Sequence, residues 1–202
     1  MPTSATSLQS LRAPIFELRR EQYLYKSGKN LHVNKFDRNQ ALNGQKDETL
    51  AVFESTPESR PCWSPKGTYL VMIKAEKVLF LGGENMVPII TIPQAKVTHV
   101  EMSPCERYVL TYAPKGDVAF TVWNFQLVET IRDFAAEKGE NNETYKWSPD
   151  GNYIAKKFTT TIEKEGGEAK VKEGISVYEL PSMHLLKTDD GSKKSITIDG
   201  IA

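Results

Sequence analysis

The chain has 202 residues and an even charge balance, with 26 basic and 26 acidic side chains. This balance argues against a free-standing nucleic-acid-binding protein, which is usually basic overall, although a local basic patch remains compatible with it. No apolar run approaches the roughly 20 residues of a membrane-spanning helix, and the N-terminus lacks the apolar core of a signal peptide. Two cysteines make neither a disulfide framework nor a metal site, and reduced thiols in the cytoplasm are the plain interpretation.

The first 60 residues carry a weak strand pattern. Residues 1–14 are rich in Ser and Thr and are predicted to be a disordered or tag-like lead. Residues 15–36 alternate weakly between apolar and polar, and Ser27-Gly28-Lys29-Asn30 is predicted to be a hairpin turn. The polar segment 37–48 is predicted to be a loop, followed by a strand at 50–54.

Three similar stretches then follow one another along the chain. They read WSPKGTYL at 63–70, SPCERYVL at 103–110 and WSPDGNYI at 147–154, so Ser64, Ser103 and Ser148 are spaced by 39 and 45 residues. Proline fixes the φ angle that the second position of a tight turn needs, and the Tyr and aliphatic residues after the turn suit a strand. Each stretch therefore predicts a β-hairpin.

Each hairpin is followed by two more short β-rich runs, for example those at 77–83 and 86–92. Four strands in about forty residues are typical of a blade of a WD-repeat propeller. We therefore predict an all-β, WD40-like β-propeller segment over 15–202, with blades at about 15–55, 60–95, 97–134 and 145–188. Residues 195–202 are predicted to be the first strand of a fifth blade.

The last of these blades carries an insertion. From the Ser-Pro anchor to the next β-rich run there are 14 residues in the second blade, 15 in the third and 27 in the fourth. The extra residues are most easily placed at 159–173, with a turn at Gly166-Gly167. They are predicted either to lengthen the hairpin or to form a mobile flap.

The sequence offers no set of catalytic residues. The three histidines, His32, His99 and His184, lie in different repeats and lack metal-ligand spacing, and neither a nucleophile elbow nor a phosphate-binding loop occurs. We therefore predict a protein that is not an enzyme and that has no metal or cofactor. Five aromatic residues recur at equivalent repeat positions, which favours packing between blades over base stacking; they are Trp63, Trp147, Tyr69, Tyr108 and Tyr153.

Basic residues are the better candidates for contact with a ribosome or a protein partner. They cluster in the fourth blade and just beyond it, at Lys156, Lys157, Lys164, Lys170, Lys172, Lys193 and Lys194. Interleaved glutamates nearly cancel their charge over 156–173, which is also typical of a solvated hairpin face. Phosphate binding would require the lysines to be segregated on one face of the strands.

Several blocks resemble the propeller of the b subunit of eukaryotic translation initiation factor 3. The blocks with that resemblance are WSPKGTYL at 63–70, SPCERYVLTY at 103–112, YKWSPDGNYIAK at 145–156 and ISVYELPSMHLL at 175–186, supported by 19–34 and by KKSITIDGI at 193–201. Leu81 stands where that family usually has Trp before Gly-Gly, and the insertion at 159–173 is extra. The resemblance implies the opening part of a roughly nine-bladed ring.

The resemblance also implies a function. It implies a non-catalytic, cytoplasmic scaffold of the initiation factor 3 complex, which docks on the protein and rRNA of the small ribosomal subunit. Its implied partners are the a, g and i subunits, with no membrane and no small-molecule substrate. The alternative is a WD-repeat protein–protein interaction module of another cytoplasmic assembly, because fold resemblance by itself does not fix function.

Overall fold

A computed structural model describes residues 20–56, 60–135, 144–162 and 170–189. These residues form antiparallel sheets in which each strand pairs with its neighbour along the chain. The first sheet has three strands and the second has four. Their strands are β1 (Arg20–Ser27), β2 (Asn30–Asp37) and β3 (Glu48–Glu54), then β4 (Cys62–Trp63), β5 (Leu70–Lys74), β6 (Lys77–Gly82) and β7 (Val87–Ile92).

The third and fourth sheets have four strands each. Their strands are β8 (His99–Met102), β9 (Tyr108–Tyr112), β10 (Phe120–Asn124) and β11 (Glu129–Phe134), then β12 (Tyr145–Trp147), β13 (Tyr153–Ile162), β14 (Lys170–Glu179) and β15 (His184–Asp189). The prediction of an all-β chain is confirmed. The predicted lead at 1–14, the predicted strand at 195–202 and the predicted turn at Gly166-Gly167 lie outside the described residues.

The same turn geometry joins the first two strands of the second, third and fourth sheets. In the second sheet the Ser64 N–H donates to the Tyr69 carbonyl, the Tyr69 N–H donates to Ser64 Oγ, and the Gly67 N–H donates to the Ser64 carbonyl. The same three bonds recur around Ser103 and around Ser148. The serine side chain therefore closes each turn, which explains why the Ser-Pro pair precedes a strand in all three places.

The fourth residue of each turn has a left-handed backbone. Its φ angle is +70° at Gly67 and +71° at Gly151, a conformation in which glycine meets no Cβ penalty. The turn that begins at Ser103 has Glu106 at this place, with φ +58°.

The segment 37–48 is only partly the loop that its polarity predicts, and residues 43–47 do form a turn and irregular structure. Residues Arg38–Leu42 form a short helix, α1. The Asp37 side chain accepts hydrogen bonds from the backbone N–H groups of Asn39 and Gln40, so it satisfies donors that the first helical turn leaves unpaired. A single N-cap therefore outweighs the turn-like composition of this segment.

A bulge recurs near the same place in every sheet. Each time the extra residue lies on the fourth strand, and the third strand faces it with Phe80 and Leu81, with Val122 and Trp123, or with Val177 and Tyr178. In the first sheet the extra residue lies on β3, where Val33 and Asn34 of β2 face it. Strand β2 therefore corresponds to the third strand of the other sheets, and β1 corresponds to their second strand.

The chain divides into two compact units, and the division falls between Gln94 and Ala95. In the first unit, the first and second sheets share a core of Leu31, Val33, Leu70, Met72, Leu81 and Met86. In the second unit, the third and fourth sheets share a larger core that includes Leu110, Phe120, Val122, Tyr145 and Ile154. The described residues contain no helix with the length and apolar character needed to span a bilayer.

Candidate docking surface

Aromatic side chains fix the fourth sheet to the third. The Tyr145 ring lies 4.5 Å from that of Phe120 and 5.3 Å from that of Phe134, measured between centroids. The rings of Tyr108 and Trp147 are stacked across the same junction, with centroids 6.5 Å apart. The predicted packing role of Tyr108 and Trp147 is confirmed. This junction holds β12–β15 on a fixed support.

The turns of the two sheets also touch. Cys105 Sγ lies 3.6 Å from the Gly151 carbonyl oxygen, and Arg107 donates both to Cys105 Sγ and, over 2.5 Å, to Asn152 Oδ1. Burial disfavours the thiolate, but hydrogen bonds from Ser103 and Arg107 outweigh it and lower the pKa of Cys105. The cysteine therefore lies inside a contact between two turns.

Arg132 on β11 crosses from the third sheet to the fourth. Its guanidinium carbon lies 4.9 Å from the ring centroid of Tyr178, and one of its N–H groups donates to the Met183 carbonyl over 3.2 Å. The same guanidinium lies 5.0 Å from the ring of Phe134. A planar cation that stacks on rings and also donates a hydrogen bond suits such a junction.

The first two candidate lysines have different environments. Lys156 is buried, with its Nζ 5.6 Å from the ring centroid of Phe134 and 6.0 Å from that of Tyr145. Lys157 is partly exposed and forms an ion pair with Glu173 over 2.9 Å. Lys156 therefore belongs to the support of the hairpin, whereas Lys157 lies on its surface.

The insertion lengthens the hairpin. Strands β13 and β14 have ten residues each and pair from Tyr153–Glu179 to Ile162–Lys170. Strand β15 pairs with β14 only from Ile175 to Glu179, so in the described structure the distal part of the hairpin is two-stranded. Of the two predictions for residues 159–173, the longer hairpin is the one that the described residues show.

The register of this hairpin separates its charges. Lys170 and Lys172 occupy positions opposite Ile162 and Thr160, and by alternation they share a face with Lys156. Glu173 lies opposite Thr159 and shares the other face with its ion-pair partner Lys157. The register positions of Lys170 and Lys172 therefore lie on the strand face opposite to that of Glu173. Lys164, Lys193 and Lys194 lie outside the described residues.

A polar network on the first sheet was not predicted from the sequence. The Tyr23 hydroxyl donates to the Asp47 carboxylate over 2.6 Å and accepts from Asn34 Nδ2 over 3.1 Å. The Asp47 carboxylate, which accepts this bond, raises the pKa of Tyr23. The two strands and the loop that bring these residues together are up to 24 residues apart, so no local pattern indicates the contact.

The described part of the chain contains no group of three or more His, Cys, Asp or Glu side chains placed to hold a metal ion. His32 instead stacks on Tyr25, with ring centroids 4.8 Å apart.

Comparison with solved structures identifies the fold. A crystal structure of the eukaryotic initiation factor matches 85% of this chain and 52% of its own, with a TM-score of 0.54 and 15% identity. The C-terminal WD40 domain of Sif2 matches 83% of this chain and 44% of its own, with a TM-score of 0.51 and 11% identity. The fold is therefore a WD40-like β-propeller, as the repeat pattern predicts.

No protein-family model matches the chain. Among curated proteins, the b subunit of eukaryotic translation initiation factor 3 from Aedes aegypti is 33% identical over 139 residues, which are 69% of this chain and 17% of that protein. The corresponding protein of Xenopus laevis is 33% identical over 144 residues, which are 69% of this chain and 18% of that protein. The chain thus spans less than a fifth of the length of these relatives. Over about two thirds of its own length, it is homologous to a segment of the b subunit of eukaryotic translation initiation factor 3.

Proposed function

We propose that this chain is a non-catalytic scaffold segment in translation initiation that docks on the small ribosomal subunit. The homology to the b subunit of initiation factor 3 carries this proposal, because identity near 33% extends over 69% of the chain. Its partners in this proposal are the small ribosomal subunit, through protein and rRNA, and the a, g and i subunits of initiation factor 3. The proposed location is the cytoplasm, where initiation takes place.

The basic hairpin of the fourth sheet is the contact that we favour. Lys170 and Lys172 share one face of a two-stranded extension, and the glutamate at 173 lies on the other face. Lysines on a strand that projects from a rigid support suit phosphate groups, which position a protein on nucleic acid without reading its sequence. Lys156, in contrast, contributes by stabilising the support through its cation–π contacts.

A binding experiment tests this proposal. The double variant Lys170→Glu, Lys172→Glu is compared with the wild type for binding to purified small ribosomal subunits across a salt series. Loss of two phosphate contacts should weaken binding and flatten the dependence of log K on log salt by about 1.4 to 1.8, which is roughly 0.7 to 0.9 for each contact. A matched control reverses Lys26 and Lys29, two exposed lysines of the β1–β2 hairpin.

The outcomes test the hairpin contact and the scaffold function separately. An unchanged affinity and salt slope in the Lys170/Lys172 variant would remove the hairpin from the contact surface. Failure of the wild-type chain to recover ribosomal proteins or other initiation factor 3 subunits from lysate would contradict the scaffold function itself. Recovery of a different, reproducible set of cytoplasmic proteins would favour the alternative of a WD-repeat module from another assembly.

A further inference from the structure

The sequence contains one Asn-Gly pair, at Asn43-Gly44, immediately after helix α1. Every residue from Ala41 to Lys46 is exposed. Gly44 has a φ angle of +72°, the left-handed conformation in which glycine commonly follows the end of a helix. The geometry of the turn therefore favours glycine directly after Asn43.

An asparagine followed by glycine can react with its own main chain. The backbone nitrogen of Gly44 bonds to Cγ of Asn43, the bond from Cγ to the side-chain nitrogen breaks, and ammonia leaves with the proton of the Gly44 amide. The product is a five-membered cyclic imide, and water opens it to aspartate or isoaspartate. Proximity favours ring closure, and glycine leaves the attacking nitrogen unshielded by a side chain.

The end of helix α1 restrains this reaction. The Gly44 N–H donates to the Ala41 carbonyl over 3.0 Å, and the Asn43 N–H donates to the Gln40 carbonyl over 3.1 Å. Asn43 has a φ angle of −92° and a ψ angle of 8°. Ring closure requires rotation about ψ of Asn43 and release of the Gly44 N–H, so the pair reacts only after the last turn of α1 opens.

Helix α1 opens easily because little holds it. It has five residues, and a helix of this length is unstable by itself. Its side chains from Asn39 to Leu42 are exposed, and Leu42 is 79% exposed. The Asp37 side chain caps the helix by accepting hydrogen bonds from the N–H groups of Asn39 and Gln40. The stability of α1, and hence access to the reactive conformation, therefore depends on Asp37.

We propose that Asn43 is a site of spontaneous deamidation, and that Asp37 sets the rate by holding helix α1 closed. The modification then accumulates with the age of each molecule. Isoaspartate carries the main chain through its side-chain carboxyl carbon, so an additional carbon atom separates position 43 from Gly44. The Gly44 N–H then no longer lies where it donates to the Ala41 carbonyl, and the end of α1 is lost.

Incubation of the purified chain at neutral and mildly alkaline pH tests this proposal. Peptide mass spectrometry locates the mass gained when an amide becomes a carboxyl group, and an isoaspartate assay identifies the ring-opened product. The wild type should form isoaspartate at position 43 more slowly than the same chain unfolded in denaturant. Asp37→Ala should accelerate the reaction about fivefold, the factor by which loss of a typical N-cap favours the open helix. Asp37→Asn keeps an equally good cap and should react as the wild type does.

Asn85 is an internal control, since it is exposed but is followed by the large side chain of Met86. It should stay unmodified in every variant, and circular dichroism establishes that the sheets are intact. A folded wild type that reacts as fast as the unfolded chain overturns the proposal. So does an equal rate in Asp37→Ala and the wild type, or aspartate at position 43 without isoaspartate. The same acceleration at Asn85 would contradict local opening of α1.

Discussion

Gly151 faces Cys105 so closely that a methyl group on its α carbon would lie 2.6 Å from the cysteine sulfur. The backbone N and Cβ of Cys105 would lie only 3.1 and 3.2 Å away. Gly151 also has a φ angle of +71°. Two separate reasons therefore require glycine at this place, one in the backbone and one in the contact between the turns.

We predict that Gly151→Ala lowers the free energy of unfolding by about 2–4 kcal/mol, from the left-handed backbone and the overpacked contact together. Gly67→Ala is the control, since Gly67 has nearly the same φ angle but open space around the added methyl group. It should cost only about 1–2 kcal/mol. Chemical denaturation measures both values, and equal costs would show that the Cys105 contact carries no strain.

The hydroxyl of the serine in each Ser-Pro pair should stabilise its turn. Ser64→Ala leaves the Tyr69 N–H, which now donates to Ser64 Oγ over 2.9 Å, without this acceptor in a buried turn. We expect a loss of about 1–2 kcal/mol in the free energy of unfolding. The exposed Ser27 provides the control, and Ser27→Ala should change stability by less than about 0.5 kcal/mol. Similar losses at both serines would contradict a role for the hydroxyl.

Arg132 should couple to Tyr178. Arg132→Gln removes the cation from the ring and the donor from the Met183 carbonyl, and we expect it to cost about 1–3 kcal/mol. A double-mutant cycle with Tyr178→Leu isolates the ring contact, which should contribute at least about 0.5 kcal/mol of coupling. Additive losses in thermal or chemical unfolding would show that the two side chains act independently.

Glu101 should make stability depend on pH. Burial raises the pKa of this carboxyl, and the attraction of Lys146 offsets part of that effect. The folded state therefore binds the proton more tightly than the unfolded state, in which the pKa of a glutamate carboxyl is about 4.3. The contribution of Glu101 to the free energy of unfolding is therefore fully present below the unfolded pKa. It is lost as the pH rises through the folded pKa.

The variant Glu101→Gln should remove this dependence. Above the folded pKa, it should be more stable than the wild type, and below the unfolded pKa the difference should shrink. Glu129→Gln, at an exposed position, is the matched control and should leave the profile unchanged. Unfolding curves at a series of pH values measure both, and a wild-type profile that stays parallel to that of Glu101→Gln would refute the assignment.

Local chemistry made much of the fold predictable from the sequence. Each Ser-Pro turn is closed by bonds within six residues, so Ser64, Ser103 and Ser148 mark their hairpins without help from the rest of the chain. Helix α1 was missed because one N-cap, Asp37, outweighs the loop-like composition around it. The lengthened hairpin was one of two predictions for the insertion, and spacing alone could not choose between them.

The contacts between sheets were less predictable, for a physical reason. Arg132 meets Met183 across 51 residues, and Arg107 meets Asn152 across 45, so no short pattern records either contact. Lys156 was grouped with surface lysines because its charge suggested solvent, whereas the rings of Phe134 and Tyr145 cover it. A basic residue in a sequence therefore does not by itself indicate an exposed side chain.

The pairing of every described strand with its chain neighbour bears on how the molecule forms. Among the described strands, none requires a distant part of the chain to form its hydrogen bonds, so the entropy lost in loop closure is small at each step. Each sheet is therefore able to assemble while the polypeptide is still emerging from the ribosome, and only the side-chain packing between blades is left for later. Slow steps in folding should accordingly depend on interblade residues such as Tyr145 and be insensitive to the turns.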